Sequence, residues 1–366
     1  MRRINERSTK EYAIKYLNTC SWSEVENMKY LKPELRDDPD VVTAAVKKNG
    51  EVLKHASDRL KDNKGIVTTA VNNNGIALQF ASERLQDDPE VVTAAVNNDG
   101  IALCCVSERL KDDPDIVTAA VTNKGAALKF SSERLQDDPK IVIAAINNFG
   151  KALQFASERF RDDPEVVKAA INQYGGLVLQ FASARLQDDP EIVATALKQN
   201  NEALGYASAR LQDDPEVVKA VVNNDGLALK YASKRLRDDP EVVIAAVEQN
   251  GFALQYASER LRDDPEVVEA AVDKDADCLQ YASDRLKDDF DFMIAAVEQN
   301  GFAFQYTSKR LRDDPEIVAT ALKQNGWALV CASKRLQALG VNGIKELAKE
   351  EREIKEARIA KDEVSL

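Results

Sequence analysis

The stretch Asp87-Asp88-Pro89-Glu90-Val91-Val92-Thr93-Ala94-Ala95-Val96-Asn97-Asn98-Asp99-Gly100 decides how this chain folds. Asp88 can accept from the free amides at the start of a helix, and Pro89 suits the first helical position, where no N–H is needed. Glu90 places negative charge at the positive end of the helix dipole. On a 100° wheel Val91, Val92, Ala95 and Val96 share one face, while Glu90, Thr93 and Asn97 share the other. Gly100 then ends the helix, since glycine tolerates the left-handed turn that closes many helices. A short amphipathic first helix is predicted.

The same signature returns along the whole chain. Asp-Asp-Pro recurs ten times at a spacing of 25 residues or a multiple of it, from Asp37-Asp38-Pro39 to Asp313-Asp314-Pro315, with one spacing a residue longer. Two more units carry Asn63-Lys64 and Asp289-Phe290 in its place, which makes twelve. A fixed period of this length marks a stacked repeat protein, in which each unit touches mainly its neighbours. A second helix is predicted from Ile76 to Leu85, with Ala77, Leu78, Ala81 and Leu85 in an apolar arc flanked by Phe80. Arg84 falls inside that arc. Its stem can pack while its guanidinium reaches the Asp-Asp corner beside it, and an arginine fills this slot in every unit from Arg59 to Arg335. A structural Arg–Asp ladder is the expectation, with ligand binding as the other use.

Helices of nine or ten residues are marginal alone in water, so stacking must stabilise them. The predicted fold is all-α: an α-solenoid superhelix of about twelve 25-residue helix-turn-helix repeats with terminal caps. Residues 1–35 are expected to cap the start, with Tyr12, Ala13, Tyr16 and Leu17 on one helix and Trp22 to Leu35 on a second. Residues 36–337 form the array. Residues 338–366 form a charged capping helix and tail, with Ile344, Leu347, Ile354 and Ile359 as a thin apolar set and an end that frays. Gly175-Gly176 adds one residue to an interhelix turn, so a wider turn is expected there, with register recovered at Asp189-Pro190.

Bulk properties narrow the function. The net charge is −12 and the pI about 4.9, which argues against open attraction to phosphate backbones or anionic lipid. No apolar run approaches the roughly 20 residues that cross a bilayer. Basic Met1-Arg2-Arg3 is followed by no apolar segment, which argues against a secretory signal. Five cysteines (Cys20, Cys104, Cys105, Cys278, Cys331) form no CxxC pair, as expected for reduced thiols in the cytoplasm.

Internal copying is extensive. Glu191–Asn200 recurs unchanged as Glu316–Asn325, and Ile244–Tyr256 recurs as Ile294–Tyr306 with one change. Most residues are therefore repeated for structure, and function must be written where units differ. The outward position of the first helix does differ: Thr43, Thr68, Thr93, Thr118, Ile143, Lys168, Ala194, Lys219, Ile244, Glu269, Ile294, Ala319. The segment from Thr93 to Ile294 is the candidate partner-binding stripe. A second row is aromatic, Phe80, Phe130, Phe155 and Phe181, then Tyr206, Tyr231, Tyr256, Tyr281 and Tyr306, with His55, Cys105 and Cys331 in the same slot. It reads as core edge before it reads as a binding platform. A third row, Asn72-Asn73-Asn74 and its equivalents, reads as turn chemistry.

Catalysis has little footing. His55 is the only histidine, and no acid to orient it can be named from sequence. The serines from Ser57 to Ser333 recur in every unit, whereas a nucleophile is needed once. No phosphate loop or Cys/His metal spacing appears. The chain is expected to be non-enzymatic, without cofactor or metal.

The unit DDPEVVxAAVxxxGxALQFASERL resembles the repeats of the family described as domain of unknown function 4116, over about residues 34 to 336. The caps, the turn glycine and the ALxxAS-x-RL segment match together. The resemblance supplies no site, because the family has no established activity. In rhythm the unit is also similar to transcription-activator-like DNA-reading repeats, which vary in the turn between two short helices. Residues 87–111, however, hold five carboxylates against two basic groups, so a duplex would meet like charge. The expected function is a monomeric, cytoplasmic scaffold that holds a protein or peptide. A nucleic-acid reader and a spacer rod are the alternatives.

Overall fold

The computed structural model describes residues 9–21 and 23–364, with side chains as far as residue 357. Met1 to Ser8 and Trp22 lie outside the described residues, so the reading of Met1-Arg2-Arg3 is not addressed. Among the described residues the regular structure is helical throughout. Two compact units divide the chain, residues 1–200 and 201–366.

Within the first unit the repeat can be followed from its cap. Asp88 Oδ1 accepts from the amides of Glu90 (3.0 Å) and Val91 (3.2 Å), and the helix runs from Pro89 to Asn98. Where the proline is missing the cap survives: Asn63 accepts from Ile66 N at 3.1 Å. Val91, Val92, Ala95 and Val96 are fully buried, as the wheel requires.

The second half of the repeat departs from expectation. It is not one helix but two pieces, a 3₁₀-helix at Gly100–Cys105 and a single α-turn at Glu108–Lys111. Between them Val106 and Ser107 are extended. The break has a local cause. Ser107 Oγ accepts from Leu110 N (3.4 Å), capping the new turn, while Ser107 N donates to Gln86 O (3.1 Å) one repeat earlier. A continuous helix would withdraw that amide from the neighbouring repeat. The apparent misplacement of Arg84 in an apolar arc disappears with the helix that placed it there.

The turn glycine also has a different role. Gly100 has no left-handed backbone, and positive φ is confined to Gly175 and Gly340 among the described residues. Glycine is needed for closeness: a Cβ on Gly100 would lie 2.3 Å from the Ala120 carbonyl oxygen of the next repeat. Gly75 and Gly125 meet the same obstacle at Ala95 and Ala145. At the one insertion the expected wider turn is present. The helix extends to eleven residues, Pro164–Tyr174, and Gly175 takes φ +90° before the 3₁₀-helix Gly176–Phe181. Asp189 caps the next helix at Pro190, so register is restored.

The first unit opens with a degenerate repeat of the same order: Lys10–Thr19, the 3₁₀-helix Glu24–Tyr30, and the turn Pro33–Arg36. It buries Ala13 and Leu17 and stacks on Pro39–Lys48 as one repeat helix stacks on another. Here too a second helix was expected and two pieces are found.

The second unit holds five more long helices, from Pro215–Val222 to Pro315–Gln324, with the same alternation of 3₁₀ and α elements. It closes with Lys334–Val364, two helical segments joined at Gly340 (φ 65°). Ile344 and Ala348 are buried, and this helix covers Ala319 and Thr320 of the last repeat. Arg352 reaches Glu316 at 3.0 Å. Ile354 is exposed, and Ile359 lies beyond the described side chains, so the cap rests on the first part of the helix.

Gly100→Ala is expected to lower stability by roughly 1–3 kcal/mol, as overpacking against an immovable carbonyl does. Gly326→Ala, which has open space around it, should change it by less than about 0.5 kcal/mol. Urea unfolding followed by circular dichroism measures both.

Candidate functional site

The invariant polar residues assemble into contacts that cross from one repeat to the next. In the specimen the first Asp of the Asp-Asp pair, Asp87, accepts a hydrogen bond from Ser107 Oγ. Arg109 Nε donates to the same Asp87 Oδ1 at 3.1 Å, and Arg109 Nη2 donates to the Asp87 carbonyl at 2.9 Å. In the first unit the arrangement recurs at Asp37, Asp62, Asp112, Asp137 and Asp162. In the second it recurs at Asp213, Asp238, Asp263, Asp288 and Asp313. The arginine ladder is thus real, but its aspartate lies one repeat back and not in the corner beside it. The serine was passed over as a failed nucleophile. Its recurrence in every unit was the available signal.

Each of these carboxyls is held below the usual aspartate range, first by the serine hydroxyl and then by the arginine. The clamp therefore stays ionised below the pH at which a free aspartate protonates.

A second bridge uses the turn. Asn98 Oδ1 accepts from Gly75 N (2.7 Å) and its amide donates to Asn72 O (2.9 Å), so the asparagine of one repeat holds the turn of the repeat before it. Asn73, Asn123 and Asn148 act likewise in the first unit, and Gln249 and Gln324 in the second. Only the last residue of the triplet does the expected turn chemistry: Asn74 accepts from Ile76 N at 3.1 Å. At the insertion Tyr174 replaces the asparagine, its ring 2.4 Å from where a Gly150 Cβ would stand and its hydroxyl donating to Asn147 O. A DNA reader of the turn type would need these side chains free. Here they hold the array together.

The candidate stripe behaves differently. In the first unit Thr93, Thr118, Ile143 and Ala194 are exposed, and Lys168 is half-buried against Glu191 (2.7 Å). In the second, Glu269 is exposed, Ile244 and Ile294 are half-buried, and Lys219 pairs with Glu241 (2.7 Å). Each unit therefore carries its share on the outer face of its long helices. Thr43 and Thr68 are half-buried, as are Lys168, Lys219, Ile244 and Ile294, and Ala319 is buried. Beside the row in the second unit lies a polar groove of about 540 Å³ lined by Asn223, Ala245, Glu248, Gln249, Ala270, Asp273 and Lys274.

The aromatic row is mostly half-buried, as a core edge should be, with Tyr206 more open at 39%. Its contacts run between repeats: Phe252 meets Tyr281 edge-on at 6.4 Å, and Tyr306 donates to Asp277 at 2.8 Å. Burial, then Asp277, push the Tyr306 hydroxyl up. His55 does have an acid partner that sequence did not reveal, Glu26 of the degenerate repeat, at 3.2 Å. Burial opposes ionisation of Glu26, yet Lys54 and His55 outweigh it and keep the carboxyl low. Among the described residues no group of three His, Cys, Asp or Glu gathers as metal ligands do, and no helix is long and apolar enough to cross a membrane.

The family described as domain of unknown function (DUF4116) matches at residues 9–61, 63–111, 88–136, 138–177, 163–212, 214–262, 264–312 and 289–337. The chain belongs to this family. The first match begins at Thr9, which makes the opening degenerate repeat a DUF4116 repeat by sequence as well as by its order of elements. No curated protein matches the chain.

Because the folded carboxyls titrate below the unfolded aspartate value of about 3.9, the clamp's stabilisation is complete above that value and is lost as pH falls through the folded values. Urea midpoints are expected to be flat from neutrality to about pH 5 and to fall steeply below pH 4. Asp87→Asn should lower the midpoint at pH 7 and leave it nearer wild type at pH 3.

Proposed function

We propose that this DUF4116 chain is a non-enzymatic scaffold whose long-helix face holds a protein or peptide partner. One observation carries the reading. The polar residues that recur from repeat to repeat are engaged, the Asp–Ser–Arg clamp and the Asn/Gln bridge between repeats and the caps within them. The outer row of the long helices, in contrast, varies from threonine to isoleucine, lysine and glutamate. A row outside the clamp and bridge and varied in chemistry, with Lys168 and Lys219 paired to Glu191 and Glu241 of the following repeat, is what a partner can read.

The chemistry of the row favours a polypeptide over a polyanion. Ile143 is exposed, Ile244 and Ile294 offer half-open apolar surface, and Glu269 with the adjoining Glu248 and Asp273 offers negative charge. A segment with apolar and basic side chains fits that mixture, while a phosphate backbone meets a net charge of −12. The serines, the most numerous hydroxyls of the repeats, accept and donate structural bonds, which supports a role without covalent chemistry. A cytoplasmic setting agrees with five free cysteines.

Combined replacement of Ile143, Lys168, Lys219 and Ile244 by serine is expected to abolish capture of the partners retained by the wild-type chain, with the helical circular dichroism unchanged. Affinity capture with mass spectrometry reads the outcome. Undiminished capture would place the contact elsewhere. Titration with duplex and single-stranded DNA at low salt should show no binding tighter than millimolar.

A further inference from the structure

One repeat of the first unit differs where its neighbours agree. The adjacent repeats read Leu78-Gln79-Phe80-Ala81 and Leu128-Lys129-Phe130-Ser131, whereas this one reads Leu103-Cys104-Cys105-Val106. A polar slot and an aromatic slot, next to each other, have both become thiols. In an array made by copying whole units, a paired departure of this kind carries information that stacking does not require.

The 3₁₀ backbone of Gly100–Cys105 brings the two sulfurs to 3.1 Å, with Cys104 exposed and Cys105 half-buried. That separation discriminates between ligands. A disulfide needs about 2.05 Å. Sulfur–metal bonds of about 2.3 Å span about 4.6 Å when collinear, about 3.8 Å at a tetrahedral angle and about 3.3 Å at a right angle. The observed distance fits the right-angle chelate, the geometry of a pyramidal three-coordinate centre that carries a lone pair. Tetrahedral zinc would also want four ligands, and no third Cys, His, Asp or Glu gathers here among the described residues.

We propose that Cys104 and Cys105 form a preorganised dithiol site for monosubstituted trivalent arsenicals. With phenylarsine oxide the two thiols give up their protons to the arsenic-bound oxygen, which leaves as one water. Two As–S bonds form, and arsenic remains trivalent, so no oxidant or reductant is involved. Burial, then the Cys104 thiol, push Cys105 up to about 12, against a smaller opposing pull from Lys111. Cys105 therefore meets the reagent as a thiol, and the exposed Cys104 is the accessible point of first attack. Cys20 and Cys278 are buried, and Cys331 has no cysteine beside it in sequence.

The reduced full-length chain, titrated with phenylarsine oxide and read by intact mass, should take up one reagent per chain with loss of one water. Ethanedithiol should remove it. Cys105→Phe restores the residue of the neighbouring repeats and so preserves the fold, yet it should abolish the adduct, as should Cys104→Ser. The folded chain should bind about tenfold or more tightly than the same chain unfolded in urea, since only the fold holds the sulfurs at chelating distance. An adduct that survives either substitution, or equal affinity in the unfolded chain, overturns the assignment.

Discussion

Everything in this structure depends on a carboxylate held by the repeat that follows it. Asp87 receives a hydroxyl from Ser107 and a guanidinium from Arg109, and the Arg109 guanidinium also ties the Asp87 carbonyl. None of these groups is deeply buried, and one such contact at a surface contributes little by itself. Repetition changes the balance. The serine that donates to the aspartate also caps the α-turn carrying the arginine, and its amide bonds to the preceding repeat. Hydroxyl, amide and guanidinium are thus placed together by one residue spacing. Losing the serine would loosen the turn, the backbone bridge and the ion pair at once.

That constraint explains the lengths of the elements. A ten-residue helix, a six-residue 3₁₀-helix and a four-residue α-turn are each too short to persist in water. Their apolar residues, Val91, Val92, Leu103 and Leu110, are buried because the repeats on either side lie against them. Glycine at the turn sets how near that repeat can come, since the carbonyl of Ala120 occupies the place a Cβ would take at Gly100. The array is consequently closed by structures that satisfy the same requirement without repeating it. The opening repeat supplies Ala13 and Leu17, and the closing helix supplies Ile344 and Ala348.

How much of this was legible follows from the kind of signal each part leaves. The start and buried face of the long helix were readable, because Asp88, Pro89 and the 3.6-residue placing of Val91 to Val96 are local statements, while the role of Gly100 depends on Ala120 of the next repeat. The second half was not, because a helical wheel drawn from Ile76 to Leu85 assumes the continuity it is meant to test. Ser82 is the N-cap residue that contradicts it, and Arg84 on the apolar side was the symptom. Contacts between repeats left no local trace at all. Asn73 looks like a turn residue beside Asn74, yet one holds the turn of the preceding repeat and the other caps its own. Likewise nothing near His55 announces Glu26, twenty-nine residues earlier.

Function is harder to read for the same reason that fold is easy. When one geometry must be met repeatedly, the residues that meet it are copied, and copying hides selection for anything else. The informative positions are then of two kinds. Positions such as Thr93, Thr118 and Ile143 in the first unit, or Ile244 and Glu269 in the second, change from repeat to repeat and take no part in the clamp or the bridge. Singular departures, such as Tyr174-Gly175 and Cys104-Cys105, occur once and alter chemistry at a point. A scaffold can accept both, because each repeat needs only its neighbours' clamp and bridge. Tyr174 shows the tolerance directly: it displaces the bridging asparagine, keeps a bond to the repeat before it, and the register resumes at Asp189. Local change without loss of the whole is what nearest-neighbour stacking permits, and it is what lets a duplicated array acquire a site.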